Sequence, residues 1–70
     1  MIGRRRIVGG YVDLTNAHIP KANMFHANLQ DVYFFNANLT GAYIFRADLT
    51  NAHLRNANLT GADLTGADLR

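Results

Sequence analysis

Residues 37–70 read "ANLTGAYIFRADLTNAHLRNANLTGADLTGADLR", and one spacing runs through all of them. Leu39, Ile44, Leu49, Leu54, Leu59, Leu64 and Leu69 stand five residues apart, each preceded two places earlier by alanine. Traced back toward the N-terminus, the same phase holds Leu14, Ile19, Met24, Leu29 and Phe34, with Val12, Ala17, Ala22, Ala27 and Val32 in the small position. The three other places in each unit are mostly Asp, Asn, Thr, Gly or charged.

A period of five suits neither standard element. On an α-helix, five residues turn through about 500°, so the leucines would spiral around the rod. On a flat strand, odd steps alternate faces, and half of the leucines would point to water. A chain that turns a corner every five residues and winds about an axis keeps them all inside, which is a solenoid. Asn16, Asn36, Gly41, Asn51, Asn56, Gly61 and Gly66 share one phase, two residues after a central apolar residue. Asn and Gly tolerate positive φ and mark that phase as the corner. The period leaves the number of corners per coil open. Matches twenty residues apart favour four: Val12 with Val32, Phe25 with Phe45, Asn16 with Asn36 and Asn56, and Gly41 with Gly61, although offsets of fifteen give a few matches too.

The quoted stretch resembles the A(D/N)LXX pattern of pentapeptide-repeat proteins, and the resemblance covers about residues 10–70. It implies an all-β fold, a right-handed quadrilateral β-helix with four units per coil and about three coils. At a strand spacing of about 4.8 Å such a stack is on the order of 15 Å tall. His18, Tyr33, Tyr43 and His53 depart from the usual Asp or Asn. Residues 1–10 form a basic arm or degenerate cap, in which Ile2 and Ile7 keep phase with Val12, and residues 11–70 form the repeat domain.

With 70 residues the chain is one small domain, and without cysteine it has no disulfide or thiolate–metal staple. No apolar run approaches the roughly 18–20 residues of a membrane span. Arg4, Arg5 and Arg6 resemble a signal-peptide n-region, but the apolar stretch behind them is broken by Gly9 and Gly10 and ends at Asp13. The start therefore reads as retained and the protein as cytoplasmic. The formal net charge of +2 comes from that arginine cluster, whereas the repeat body is close to balance.

The central residues Leu14 through Leu69 form the expected structural core, each contributing roughly 1.5–3 kcal/mol when fully buried. Leu14, Phe34 and Leu54 stack on one face, and Met24, Ile44 and Leu64 on the opposite one. Phe25, Tyr33, Phe35, Tyr43 and Phe45 flank central residues and point outward. They are either ladders between coils or contacts for a partner. The last coil, from Leu54 to Leu69, carries unpaired edges and a half-exposed core, which predicts pairing with a second copy through that end. Pro20 reads as an edge residue of the first coil, where it removes a ladder donor.

Chemistry has little to work with. His18, His26 and His53 fall on different faces or corners, and Asp48 stacks only on Asp68. "GADLTGAD" lacks the lysine of a phosphate loop, and Asn38 and Asn58 match the glycosylation acceptor through the repeat itself. No catalytic, metal or cofactor site emerges, and the chain reads as no enzyme. The leading expectation is a non-catalytic scaffold that binds protein and self-associates. An alternative comes from the family, some of whose members resemble duplex DNA and bind DNA gyrase. The near-neutral body and the short stack both speak against that. A third reading uses Arg4, Arg5 and Arg6 as weak anion contacts for nucleic acid or membrane, and a fourth makes the chain part of a larger phage or multidomain assembly.

Overall fold

The computed structural model describes residues 7–8 and 11–70, with side chains from residue 12 onward. Each five-residue unit closes a β-turn. The Leu14 carbonyl accepts the Ala17 N–H at 3.0 Å, and the same bond recurs from Ala22 to Ile19, from Ala37 to Phe34 and on to Ala67 and Leu64. The third residue of every turn sits at positive φ, from Asn16 at 64° to Gly66 at 69°. That is the signature of a type II turn. The corner phase expected from Asn and Gly is therefore real. It also captures Lys21, His26, Asp31 and Arg46, which share the conformation at φ of 60–63°.

Lys21 and Arg46 have side chains that normally avoid this region at a cost of about 1–2 kcal/mol. The next coil lightens that cost. A Cβ built on Gly41 would stand 3.4 Å from Lys21 Cγ, and one on Gly66 would stand 3.3 Å from Arg46 Cγ. Each aliphatic stem thus lies across a glycine, where it buries surface that a larger residue would block.

Between corners the backbone pairs with the residue twenty positions on. Asp13 bridges Tyr33 and Tyr33 bridges His53; Asn23, Tyr43 and Asp63 form a parallel series, as do Asn28, Asp48 and Asp68. The Tyr33 N–H donates to the Val12 carbonyl at 3.0 Å, and the Leu14 N–H donates to the Tyr33 carbonyl at 2.7 Å. One coil is therefore twenty residues and four corners, which settles the question the period left open. We number the faces by their bridge residues: the first contains Asp13, Tyr33 and His53, the second His18, Asn38 and Asn58, the third Asn23, Tyr43 and Asp63, and the fourth Asn28, Asp48 and Asp68.

The lead-in is a hairpin. Strand β1 (Ile7–Val8) pairs antiparallel with β2 (Tyr11–Val12), Ile7 opposite Val12 and Val8 opposite Tyr11. Consecutive strand residues offer their polar groups to opposite edges. Val12 and Leu14 use theirs on the second coil, so Tyr11 faces the other way, where β1 lies along the outer edge of the first face. Ile2 and the Arg4, Arg5 and Arg6 cluster lie outside the described residues.

The core fills the stack from Leu14 to Leu49. Leu14, Met24, Leu29, Phe34, Leu39, Ile44 and Leu49 are buried, together with Ala17, Val32, Ala37, Ala42 and Ala47. Alanine fits because the small position lies inside a narrow lumen. The expected core list needs correcting at its ends. Ile19, Leu54, Leu59 and Leu64 are half-buried, and Leu69 is 58% exposed. Leu54, Leu59, Leu64 and Leu69 belong to the third coil, and among the described residues no coil lies beyond it; the half-burial of Ile19 in the first coil has no such explanation.

Bridge residues with an acceptor side chain hold the next corner. Asn38 Oδ1 accepts both the Thr40 N–H at 3.0 Å and the Thr40 hydroxyl at 2.6 Å, and the Asp48–Thr50, Asn58–Thr60 and Asp63–Thr65 pairs repeat that geometry. Pro20 occupies the place of these threonines. The N–H at that place binds a side chain rather than the ladder, and proline favours the second position of such turns. The edge reading of Pro20 is thereby replaced: the turn, not the open edge, accommodates it.

Candidate functional site

Stacking sorts the outward aromatics into two groups on opposite faces. On the third face Phe25 and Phe45 lie with ring centroids 4.5 Å apart, and His26 stands edge-on to Phe25 at 4.0 Å. Phe25 and Tyr43 are 47% and 49% exposed, while Phe45 is half-covered. On the first face Tyr33 and His53 meet edge to face at 4.5 Å, and Phe35 lies 5.5 Å from Tyr33 and 5.4 Å from His53. Both Tyr33 and Phe35 are half-buried. Neighbouring coils share the rings, and Phe25 and Tyr43 still present apolar surface to solvent.

An arginine completes the first-face group. The Arg55 guanidinium stands over the Phe35 ring, 5.8 Å from its centroid. Beside it runs an open groove lined by Thr15, Phe35, Asn36, Arg55 and Asn56. Of these only Phe35 is among the contact residues expected from the sequence. Thr15 with Phe35 and Arg55, and Asn36 with Asn56, fall into columns once the chain is written in rows of twenty. That alignment was the signal available for them.

The fourth face is acidic. The Thr50 hydroxyl, then the Gln30 amide and the Thr50 N–H, hold the Asp48 carboxyl below the usual carboxylate range, against the neighbouring charge of Asp68. The Arg70 guanidinium, helped by its N–H, brings Asp68 down to about 2. On the third face the Thr65 hydroxyl and N–H lower Asp63 in the same way. These shifts stabilise the three carboxylates as turn acceptors.

His18 lies on the second face with its Nδ1 3.1 Å from the Asn38 amide, His26 at a corner of the third, and His53 on the first. No group of three His, Cys, Asp or Glu residues among those described is placed to hold a metal ion. No helix among them is long and apolar enough to cross a membrane.

Identical twenty-residue coils, buried apolar columns and polar corners define a stacked-repeat protein whose outer faces, rather than an enclosed cleft, carry the variation. The family model for pentapeptide repeats matches residues 11–44 and 33–70 in eight copies, and the chain belongs to that family. No curated protein matches it.

Proposed function

We propose that the chain is a non-catalytic interaction module, a right-handed quadrilateral β-helix that self-associates through its third coil. The observation that carries this reading is the difference between the two ends of the stack. At the N-terminal end three of the four central residues, Leu14, Met24 and Leu29, are already buried in the first coil, and Ile19 is half-buried. At the other end Leu54, Leu59 and Leu64 are half-buried and Leu69 is exposed.

Backbone groups follow the same polarity. In the first two coils the Leu14, Ile19, Met24, Leu29, Phe34, Leu39, Ile44 and Leu49 N–H groups each donate to the following coil. Leu54, Leu59 and Leu64 have no such coil among the described residues. Apolar residues framed by unpaired strand edges favour addition of another chain. A second copy supplies the same edge, and two copies meeting third coil to third coil form a closed, two-fold pair.

Light scattering after size exclusion tests this reading across a concentration series. A mass of twice the 7.8 kDa chain, shifting to the single-chain mass in Leu64→Asp, is expected. A single-chain mass at the highest concentration would overturn it.

A further inference from the structure

The groove beside Arg55 has an opening of about 410 Å³ and draws on all three coils: Thr15 from the first, Phe35 and Asn36 from the second, Arg55 and Asn56 from the third. It therefore runs along the stack axis and exists only when the coils are in register. Small-ligand and side-chain sites commonly fall in this size range, with a few convergent polar groups. Here the polar groups are a guanidinium, two amides and a hydroxyl, and no acid is among the lining residues.

Arg55 has a role to fill. The one ion pair among the described residues joins Arg70 to Asp68, so Arg55 has no carboxylate partner there. Its planar cation is held over Phe35 instead. A guanidinium offers two parallel N–H donors, and a carboxylate accepts both at once. Asn36 and Asn56 sit at φ of 60° and 63°, which places both residues on the corner that borders the groove. The aromatic residue of the lining is Phe35, and the Tyr33 and His53 rings pack beside it.

We propose that this groove receives an Asp or Glu side chain of a partner protein, with an adjoining apolar residue packed on the Tyr33–Phe35–His53 rings. The assignment rests on the reading of the chain as an interaction module and names the chemistry of its partner. Charge complementarity selects an acidic segment: the lining offers a guanidinium and amide donors beside ring surface, and no acid. An acidic side chain alone would satisfy only the donors.

Titration of the 15N-labelled chain, followed by amide and arginine Nε–H resonances, provides the test. The probes are sodium acetate, inorganic phosphate and the blocked tripeptide acetyl-Phe-Asp-Phe-amide. The tripeptide is expected to shift Thr15, Phe35, Asn36, Asn56 and the Arg55 side chain. Arg55→Gln weakens its binding by on the order of tenfold or more, the loss of a charged hydrogen-bond pair. Tyr43→Ser, on the opposite face, leaves the binding unchanged. No shift, shifts centred on the third face, or equal binding to Arg55→Gln would overturn the proposal. Acetate or phosphate binding as tightly as the tripeptide would reduce the groove to a simple anion contact and overturn it as well. Light scattering on the same samples keeps the two readings apart. A dimer that ignores the tripeptide removes the groove assignment alone, and a monomer that binds it removes self-association alone.

Discussion

Phe34 and Leu54 occupy equivalent places one coil apart, yet Phe34 is fully buried and Leu54 only half so. The difference is positional. Phe34 is sandwiched between the first and third coils, and Leu54 has a coil on one side only. Stability in such a stack is a sum over neighbouring coils, so substitutions in the middle coil cost most.

Phe34→Ala is therefore expected to cost about 3–5 kcal/mol, enough to unfold a domain of this size. Leu64→Ala in the single chain costs less, about 2 kcal/mol or below, because part of its surface is already exposed. Leu69→Ser leaves the single-chain stability within about 0.5 kcal/mol. Urea denaturation followed by circular dichroism, at a concentration where one chain predominates, orders the three.

The corners give a second ranking. Gly61 sits at φ 70° with only ordinary contacts near an added Cβ, so Gly61→Ala suffers the left-handed backbone alone and loses about 1 kcal/mol. Gly66→Ala meets Arg46 Cγ at 3.3 Å in addition and is expected to lose more. Gly61→Asn, whose residue type tolerates this region, falls between Gly61→Ala and the unaltered chain. Equal melting temperatures for Gly61→Ala and Gly61→Asn would contradict the backbone account.

Side-chain acceptors at the bridge positions can be tested one at a time. Asn38→Ala removes the acceptor for both the N–H and the hydroxyl of Thr40 and is expected to cost about 1 kcal/mol. Asn38→Asp keeps the acceptor and is expected to stay close to the unaltered chain at neutral pH. Paired melting curves of the two variants separate loss of the acceptor from change of charge.

Acid should weaken the fold in a defined window. Asp68 titrates at about 2 when folded against 3.8 ordinarily, and Asp48 and Asp63 are displaced in the same direction. A lowered folded pKa gives stability that is fully present above the unfolded value and is lost as pH falls through the folded one. Melting temperature is thus expected to be flat from pH 7 to about 5 and to fall between about 4 and 2. Asp68→Asn, with one such group removed, shows a shallower fall. A melting temperature that rises on acidification would exclude the assignment.

The period-five columns and the Asn and Gly corners made the coil legible before any coordinates, because inward-facing places admit few residue types. The corner at Lys21, His26, Asp31 and Arg46 was not legible from residue preference. There the phase of the repeat outweighs the local cost, and in two cases a glycine in the next coil makes room. The β1–β2 hairpin has a sequence signal, Gly-Gly between Ile7-Val8 and Tyr11-Val12, which the repeat phase of Ile7 with Val12 obscures. The surface was harder still. The Arg55 groove joins residues from three coils, and its members share no local pattern, only their place when numbers are divided by twenty: Thr15, Phe35 and Arg55 leave one remainder, and Asn36 and Asn56 the next.

That remainder bears on how the chain can change length. Inserting one residue puts every later leucine and every later corner out of step, and the fold fails from that point on. Inserting five restores both columns, so the chain still winds, but each later residue is carried around to the next side. Placed between Phe35 and Arg55, such an insertion would strand the guanidinium a quarter-turn from Phe35 in an otherwise sound stack. Only steps of twenty return every side chain to its own meridian. Folding here counts in fives and recognition counts in twenties, and the two can be separated by a single five-residue insertion.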